Sequence, residues 1–199
     1  MTLLEVLVAA FLASIVLTIL AKVTGHLYRV GTEEVQRGAL QARVLLASKK
    51  LEDDLVNSVP AGIGLSADGR RLVTHPMGEV LTSGRILFQE QFELWNWDLA
   101  AGATEGKLTR SELETRPDGK AFDGGPYRWP LADFPPAVGP KVSLTVDGVT
   151  EFSVKGPDEV ALPKVGSPIT FTITALLPTA TTRRDITITR SVQIRTSGT

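Results

Sequence analysis

The sequence predicts an α+β protein in which one long N-terminal helix, half membrane-spanning and half amphipathic, packs on an antiparallel β-sheet domain. Three observations carry that expectation. An almost unbroken apolar run fills the first 21 residues, an apolar stripe at helical spacing follows as far as residue 55, and the remainder is divided by Gly and Pro into short alternating stretches. The expected divisions are 1–22 for the transmembrane half of the helix, 23–58 for its amphipathic half, and 59–199 for a β-rich globular domain.

The apolar run, MTLLEVLVAAFLASIVLTILA, would form a helix of roughly 31 Å, matching the ~30 Å hydrocarbon thickness of a bilayer. Glu5 is its one charged side chain, and the next is Lys22. An ionised carboxylate one turn inside an apolar span is costly unless a positive group meets it. A secretory signal would place basic residues ahead of the run and a small-residue cleavage site behind it. Instead Glu5 stands at the front, and the run passes directly into helix-compatible AKVTGHLYRVGTEEVQRGALQARVLLASKKLEDDL. Lys22 and Arg29 follow the span, so an ordinary anchor would leave the globular part in the cytoplasm, whereas a basic leader ahead of Met1 would reverse that orientation.

Behind the span, the helix is expected to continue to about Ser58 and to be stopped by Pro60 and Gly62. Leu40, Val44, Ala47, Leu51 and Leu55 recur at spacings of three and four and form a stripe to pack on a sheet. Arg37, Arg43, Lys49, Glu52 and Asp53 are expected on its exposed face. Gly25, Gly31 and Gly38 lie between span and stripe, each costing up to about 1 kcal/mol relative to Ala within a helix. They mark either a flexible segment or a place where helices approach closely.

The rest reads as strands. Residues 168–196 alternate apolar and hydroxyl side chains on either side of PTATTRRD and predict an antiparallel hairpin, with Arg190 interrupting the second arm. VSLTVDGVTEFSV predicts another hairpin turning at Asp147-Gly148. RILFQEQFELWNWDL and GKLTRSEL supply further strands, and the Gly- and Pro-rich segment at 115–140 predicts a long surface loop.

Composition narrows the function. A chain of 199 residues accommodates a membrane helix and one modest domain, and a formal net charge of -1 gives no reason to expect a nucleic-acid partner. There is no cysteine, so neither disulfide nor thiolate chemistry is available. His26 falls in the expected helix and His75 in an expected loop, neither with ligand spacing for zinc. No nucleophile elbow or phosphate-binding glycine loop occurs, and neither an enzyme nor a cofactor is expected. Asp118 and Asp123, with Glu112 and Glu114 nearby, are weak calcium candidates, although Asp-Gly pairs at 118–119 and 123–124 are also ordinary turn chemistry. Trp95 and Trp97 share one face of a strand and, with Trp129, belong either to the core or to a surface that binds a partner.

The stretch MTLLEVLVAAFLASIVL resembles the mature N-terminus of type IV pilins and type II secretion pseudopilins, which is usually Phe-Thr-Leu, an aliphatic residue and Glu ahead of an apolar helix. The resemblance implies a pilin-like fold. It also implies a leader removed by a prepilin peptidase, Met1 as an N-methylated mature terminus, and Glu5 pairing with the N-terminal amine of a neighbouring subunit. Glu5 can equally complement the start of its own helix. Met1 replaces the more common Phe, Lys22 stands where a helix-breaking Pro is usual, and the frequent C-terminal disulfide is absent.

The helix end KKLEDDLVNS, followed by FELWNWDLAAGATEGKLTRSEL, further resembles the W-type minor pilins and the homologous J-type minor pseudopilins, through Leu51, Asp54, Leu55, Trp97, Leu108 and Arg110. The resemblance implies a structural subunit that primes type IV pilus assembly at or near the tip. It would reside in the bacterial inner membrane with its globular domain in the periplasm before joining the pilus. Implied partners are other minor pilins, the major pilin, the prepilin peptidase, the inner-membrane assembly platform, membrane lipid and a tip adhesin. Two alternatives remain open: a J-type pseudopilin serving type II secretion, and a membrane-anchored binding domain or adhesin that never polymerises.

Overall fold

The computed structural model describes residues 2–114, 125, 141–156, 168–177 and 185–194. It has an α+β layout: one helix, α1 (Leu3–Val56), followed by eight strands. These are β1 (Ser58–Leu65), β2 (Arg71–Val80), β3 (Ile86–Phe88), β4 (Phe92–Asp98), β5 (Gly106–Leu113), β6 (Lys141–Lys155), β7 (Ile169–Leu176) and β8 (Asp185–Val192). The chain forms two compact units, residues 1–39 and residues 40–199.

The first unit is helix alone. Every residue from Thr2 to Gly31 is exposed, and the most apolar 18-residue window has a mean hydropathy of 2.6 with none of it buried. Leu3, Leu7, Phe11, Leu17 and Leu27 each have more than half of their surface open. A helix this long and apolar can cross a membrane. It continues unbroken through Gly25, Gly31 and Gly38, and a Cβ at any of the three would meet no atom within 4 Å. These glycines therefore accommodate no close contact within the described chain.

In the second unit the strands order as β1-β2-β4-β5-β6-β7-β8, with β3 also pairing with β2, and every pairing is antiparallel. The expected stripe is present. Val44, Ala47, Leu51 and Leu55 are completely buried, and Leu40 packs beside them. They share one core with Leu72, Trp95, Leu108, Val146, Phe152, Phe171 and Ile173, which come from five strands. At about 25 cal/mol per Å² of apolar surface removed from water, each fully buried Leu contributes roughly 2 kcal/mol. Strand alternation sends Val73, Phe92, Leu94 and Leu113 to the other face, where they form a smaller cluster.

Several expectations are corrected. The helix ends at Val56, and Pro60 and Gly62 belong to β1, not to a breaker segment. β1 lies at the sheet edge, where a residue without an N–H is tolerated, and its register shifts between Ser58 and Ile63. The β1–β2 hairpin turns at Asp68-Gly69: the Asp68 carboxylate accepts from Ser66 Oγ at 2.5 Å and from the Arg70 N–H at 3.1 Å, and Gly69 takes φ 68°. Arg43, Lys49 and Asp53 are exposed as expected, but Arg37 and Glu52 are half-buried. Glu52 forms an ion pair with Arg190 of β8, which explains the break in that strand's apolar alternation: Arg190 faces the helix alongside Ile186 and Ile188.

VSLTVDGVTEFSV is not a hairpin. It lies within β6, whose residues up to Val149 pair with β5 and whose residues from Val149 onward pair with β7. Gly148 is the extra residue of a bulge: Val149 opposes Gly106, and Asp147 opposes Lys107. The 168–196 hairpin is observed, with eight register pairs between β7 and β8. On its outer face, hydroxyls pair across the strands, Thr170 with Ser191 at 2.8 Å, Thr172 with Thr189 at 3.0 Å and Thr174 with Thr187 at 3.2 Å. The expected loop at 115–140 lies outside the described residues apart from Gly125.

Gly148 has φ 73°, and a Cβ there would sit 2.6 Å from the Leu176 carbonyl oxygen. Gly148→Ala should therefore cost about 2 kcal/mol or more, from backbone strain and displacement of β7 together. Denaturant unfolding of the full chain in detergent checks this, and an unchanged midpoint would refute the bulge.

Candidate functional site

Two local constructions carry charge where apolar residues would otherwise stand. The first is the start of α1. Thr2 precedes the first helical residue and Glu5 follows three positions later, the spacing of a capping box. Glu5 Oε2 accepts the Thr2 N–H at 2.9 Å, while the Glu5 N–H donates to the Thr2 carbonyl at 3.0 Å and lies 3.4 Å from Thr2 Oγ1. Glu5 thus complements its own helix terminus, one of the two roles expected for it. The T-x-x-E spacing of the sequence is itself the signal for this cap. The side chain is exposed among Leu4, Val8 and Leu12, and Oε1 has no hydrogen-bond partner among the described residues. Met1 lies outside the described residues.

The second construction clasps the C-terminal end of α1 to the sheet. Asp54 sits three residues beyond Leu51, in phase with the apolar stripe, and is 7% exposed. Arg110 lies two residues beyond Leu108 on the same face of β5, which turns it toward the helix. Its Nε donates to Asp54 Oδ2 at 2.8 Å and its Nη2 to Asp54 Oδ1 at 2.9 Å, a two-pronged pair across 56 residues of sequence. Trp95 Nε1 donates to Asp54 Oδ2 at 2.8 Å. Arg110 Nη1 reaches Ser143 Oγ at 2.9 Å, and Nη2 lies 3.0 Å from Glu93 Oε1.

Glu93 lies opposite Thr74 in the β2–β4 register and opposite Glu112 in the β4–β5 register. It is 5% exposed, and its Oε2 and the Thr74 Oγ1 are both buried without hydrogen-bond partners among the described residues. Burial pushes the Glu93 carboxyl up to about 7 against the attraction of Arg110, and the charges of Asp54 and Glu112 add to the rise. For Arg110, burial alone would lower the pKa, but the hydrogen bond to Asp54 and the charges of Asp54, Glu93 and Glu112 raise it. The guanidinium stays charged.

The other candidates are dispersed. Trp95 is fully buried in the core, and Trp97 is half-buried, with its indole N–H on the Val149 carbonyl at 3.1 Å and the Arg70 guanidinium over its ring. Trp129, Asp118 and Asp123 lie outside the described residues. Glu112 is in β5, ion-paired with Lys141 at 2.6 Å. Among the described residues no group of three or more His, Asp or Glu side chains could hold a metal. His26 is exposed on α1. His75 is not in a loop: it is buried in β2 between Phe88 and Phe92, with Nε2 2.7 Å from the Gln89 carbonyl oxygen.

No protein-family model, curated protein or solved structure matches the chain.

Removing the Arg110 side chain leaves two buried carboxylates without their shared cation. Arg110→Ala should cost about 3–5 kcal/mol, and Arg110→Lys should recover only part because an ammonium lacks the fork geometry. Unfolding followed by tryptophan emission measures both, and equal stability of all three proteins would show that the clasp contributes nothing.

Proposed function

We propose that this chain is a pilin-like filament subunit, of the W-type minor pilin kind, that helps to initiate type IV pilus assembly from the inner membrane. The observation that supports the reading best is the bare helix from Thr2 to Gly31, which presents apolar side chains all round and a single charge, Glu5, ahead of Lys22. A helix serving only as an anchor has no use for the second oxygen of such an acid. A filament subunit does: while Glu5 Oε2 caps its own helix, Oε1 remains to receive the terminal amine of a neighbour. Such a pair adds little net stability in an apolar setting, but omitting either charge is expensive, so it enforces axial register between subunits.

The second unit suits the same role. A buried Asp54–Arg110 fork and a core shared by residues 40–56 of α1 and the sheet give a packed globular unit of its own. In this reading the generic apolar helices supply lateral packing, and heterotypic choice among other minor pilins and the major pilin comes from the surface of the β-sheet unit, where mismatched polar groups would be left unsatisfied.

Glu5→Ala should leave the precursor inserted and processed by the prepilin peptidase while reducing its copurification with other minor pilins at least tenfold. Glu5→Gln, which preserves shape and some capping, should fail equally if charge pairing is the operative term. Normal piliation and wild-type copurification of both variants would refute the assembly role of Glu5.

A further inference from the structure

The clasp holds more negative than positive groups. Asp54 of α1, Glu93 of β4 and Glu112 of β5 face Arg110 of β5, and the exposed Lys141 of β6 is engaged with Glu112. With every group ionised, three carboxylates meet two cations. The imbalance falls on Glu93, because Asp54 holds both prongs of the guanidinium and the indole N–H, whereas Glu93 holds one edge of Nη2. Its second oxygen is buried with no partner among the described residues, and so is the hydroxyl directly across the ladder on Thr74. Cross-strand partners place their Cβ atoms about 5 Å apart, within reach of a carboxylic acid and a hydroxyl. Among the described residues Arg110 is the cation paired with Glu93. His75, the neighbour of Thr74 in β2, stacks with Phe88 and Phe92 on the opposite face, and the Ser143 hydroxyl is already occupied with Arg110.

We propose that Glu93 is a proton-operated gate on the clasp between the end of α1 and the sheet. Protonated on Oε2, it donates to Thr74 Oγ1, stops competing for the guanidinium and leaves Arg110 to Asp54. Ionised, it draws Nη2 away from Asp54 and loosens the anchorage of residues 50–58. The direction of the pH dependence follows. A carboxyl held near 7 in the folded chain and near 4.5 when unfolded binds its proton preferentially in the folded state between those values, so stability falls as pH rises through that window. The clasp is tight in mildly acidic surroundings and slack above neutrality. The proposal stands independently of the filament reading, since it concerns only the second unit.

The test uses the full chain in detergent micelles with glutamate labelled by ¹³C at the side-chain carboxyl. One carboxyl resonance should titrate with a midpoint near 7 and be absent from Glu93→Gln. The folding equilibrium constant of the wild type should fall about tenfold between pH 6 and pH 8, whereas Glu93→Gln should lack this component and be the more stable protein at pH 8. Comparison with the variant isolates Glu93, because every other ionisable group is common to both proteins. Hydrogen exchange of residues 50–58 should quicken across the same interval in the wild type only. The proposal is overturned if every glutamate carboxyl titrates below pH 5 in the wild type, a measurement that does not require the variant to fold. Identical pH profiles for wild type and Glu93→Gln overturn it equally.

Discussion

Burial of the stripe Val44, Ala47, Leu51 and Leu55 is the interaction on which the second unit depends. Among the described residues α1 is the only helix, so one side of the main core consists of those few side chains and their neighbours. They meet residues from strands as far apart in the sheet order as β2 and β7. To reach one narrow stripe the sheet must curve, and its irregularities supply the means. Register shifts occur in β1, between β5 and β6, and between β6 and β7, with Gly148 of β6 in the left-handed conformation that a bulge can demand. Without cysteine there is no covalent substitute for this packing.

Apolar burial alone would allow the helix to slide along its own stripe at small cost. The Asp54–Arg110 fork does not. Its two parallel hydrogen bonds, with the Trp95 indole on the same carboxylate, are satisfied at one axial position and one rotation of α1. Buried ion pairs contribute little to net stability compared with well-packed apolar residues, and they penalise alternatives severely. Arg190 and Glu52 supply a second, more exposed tether on the same helix from the far edge of the sheet. The stripe therefore fixes which face of α1 is covered, and the two charged contacts fix where along the sheet it rests.

What could be read from the sequence follows from how local each signal is. The stripe and the β7–β8 hairpin were legible because their periods, 3.6 and 2, repeat over several turns or residues. The β1–β2 hairpin was not, because Pro60, Gly62 and Gly64 look like punctuation until β1 is known to be an edge. Asp147-Gly148 carries the signature of a tight turn, yet β6 runs straight through it: partners on both sides leave Gly148 to make a bulge in a continuous strand. Glu5 as a cap was readable from Thr2 three positions earlier. The clasp was only half readable. Asp54 and Arg110 each break an apolar pattern at an inward position, but no local rule joins residues 56 positions apart or identifies Glu93 as the carboxylate left short of a partner.

The strand order has a consequence in time. Nearly every strand pairs with its neighbour in sequence, so the sheet can assemble strand by strand as the chain lengthens. The helix is the exception. Its stripe is synthesised before any strand, yet its cover includes Phe171, Ile173 and Val192, and its last tether joins Glu52 to a residue 138 positions later. Through most of synthesis residues 40–56 display Val44, Leu51 and Leu55 with nothing complete to receive them. The chain's most vulnerable period is thus the interval before β8 arrives, and whatever shields that stripe in the meantime governs how much protein reaches the finished state.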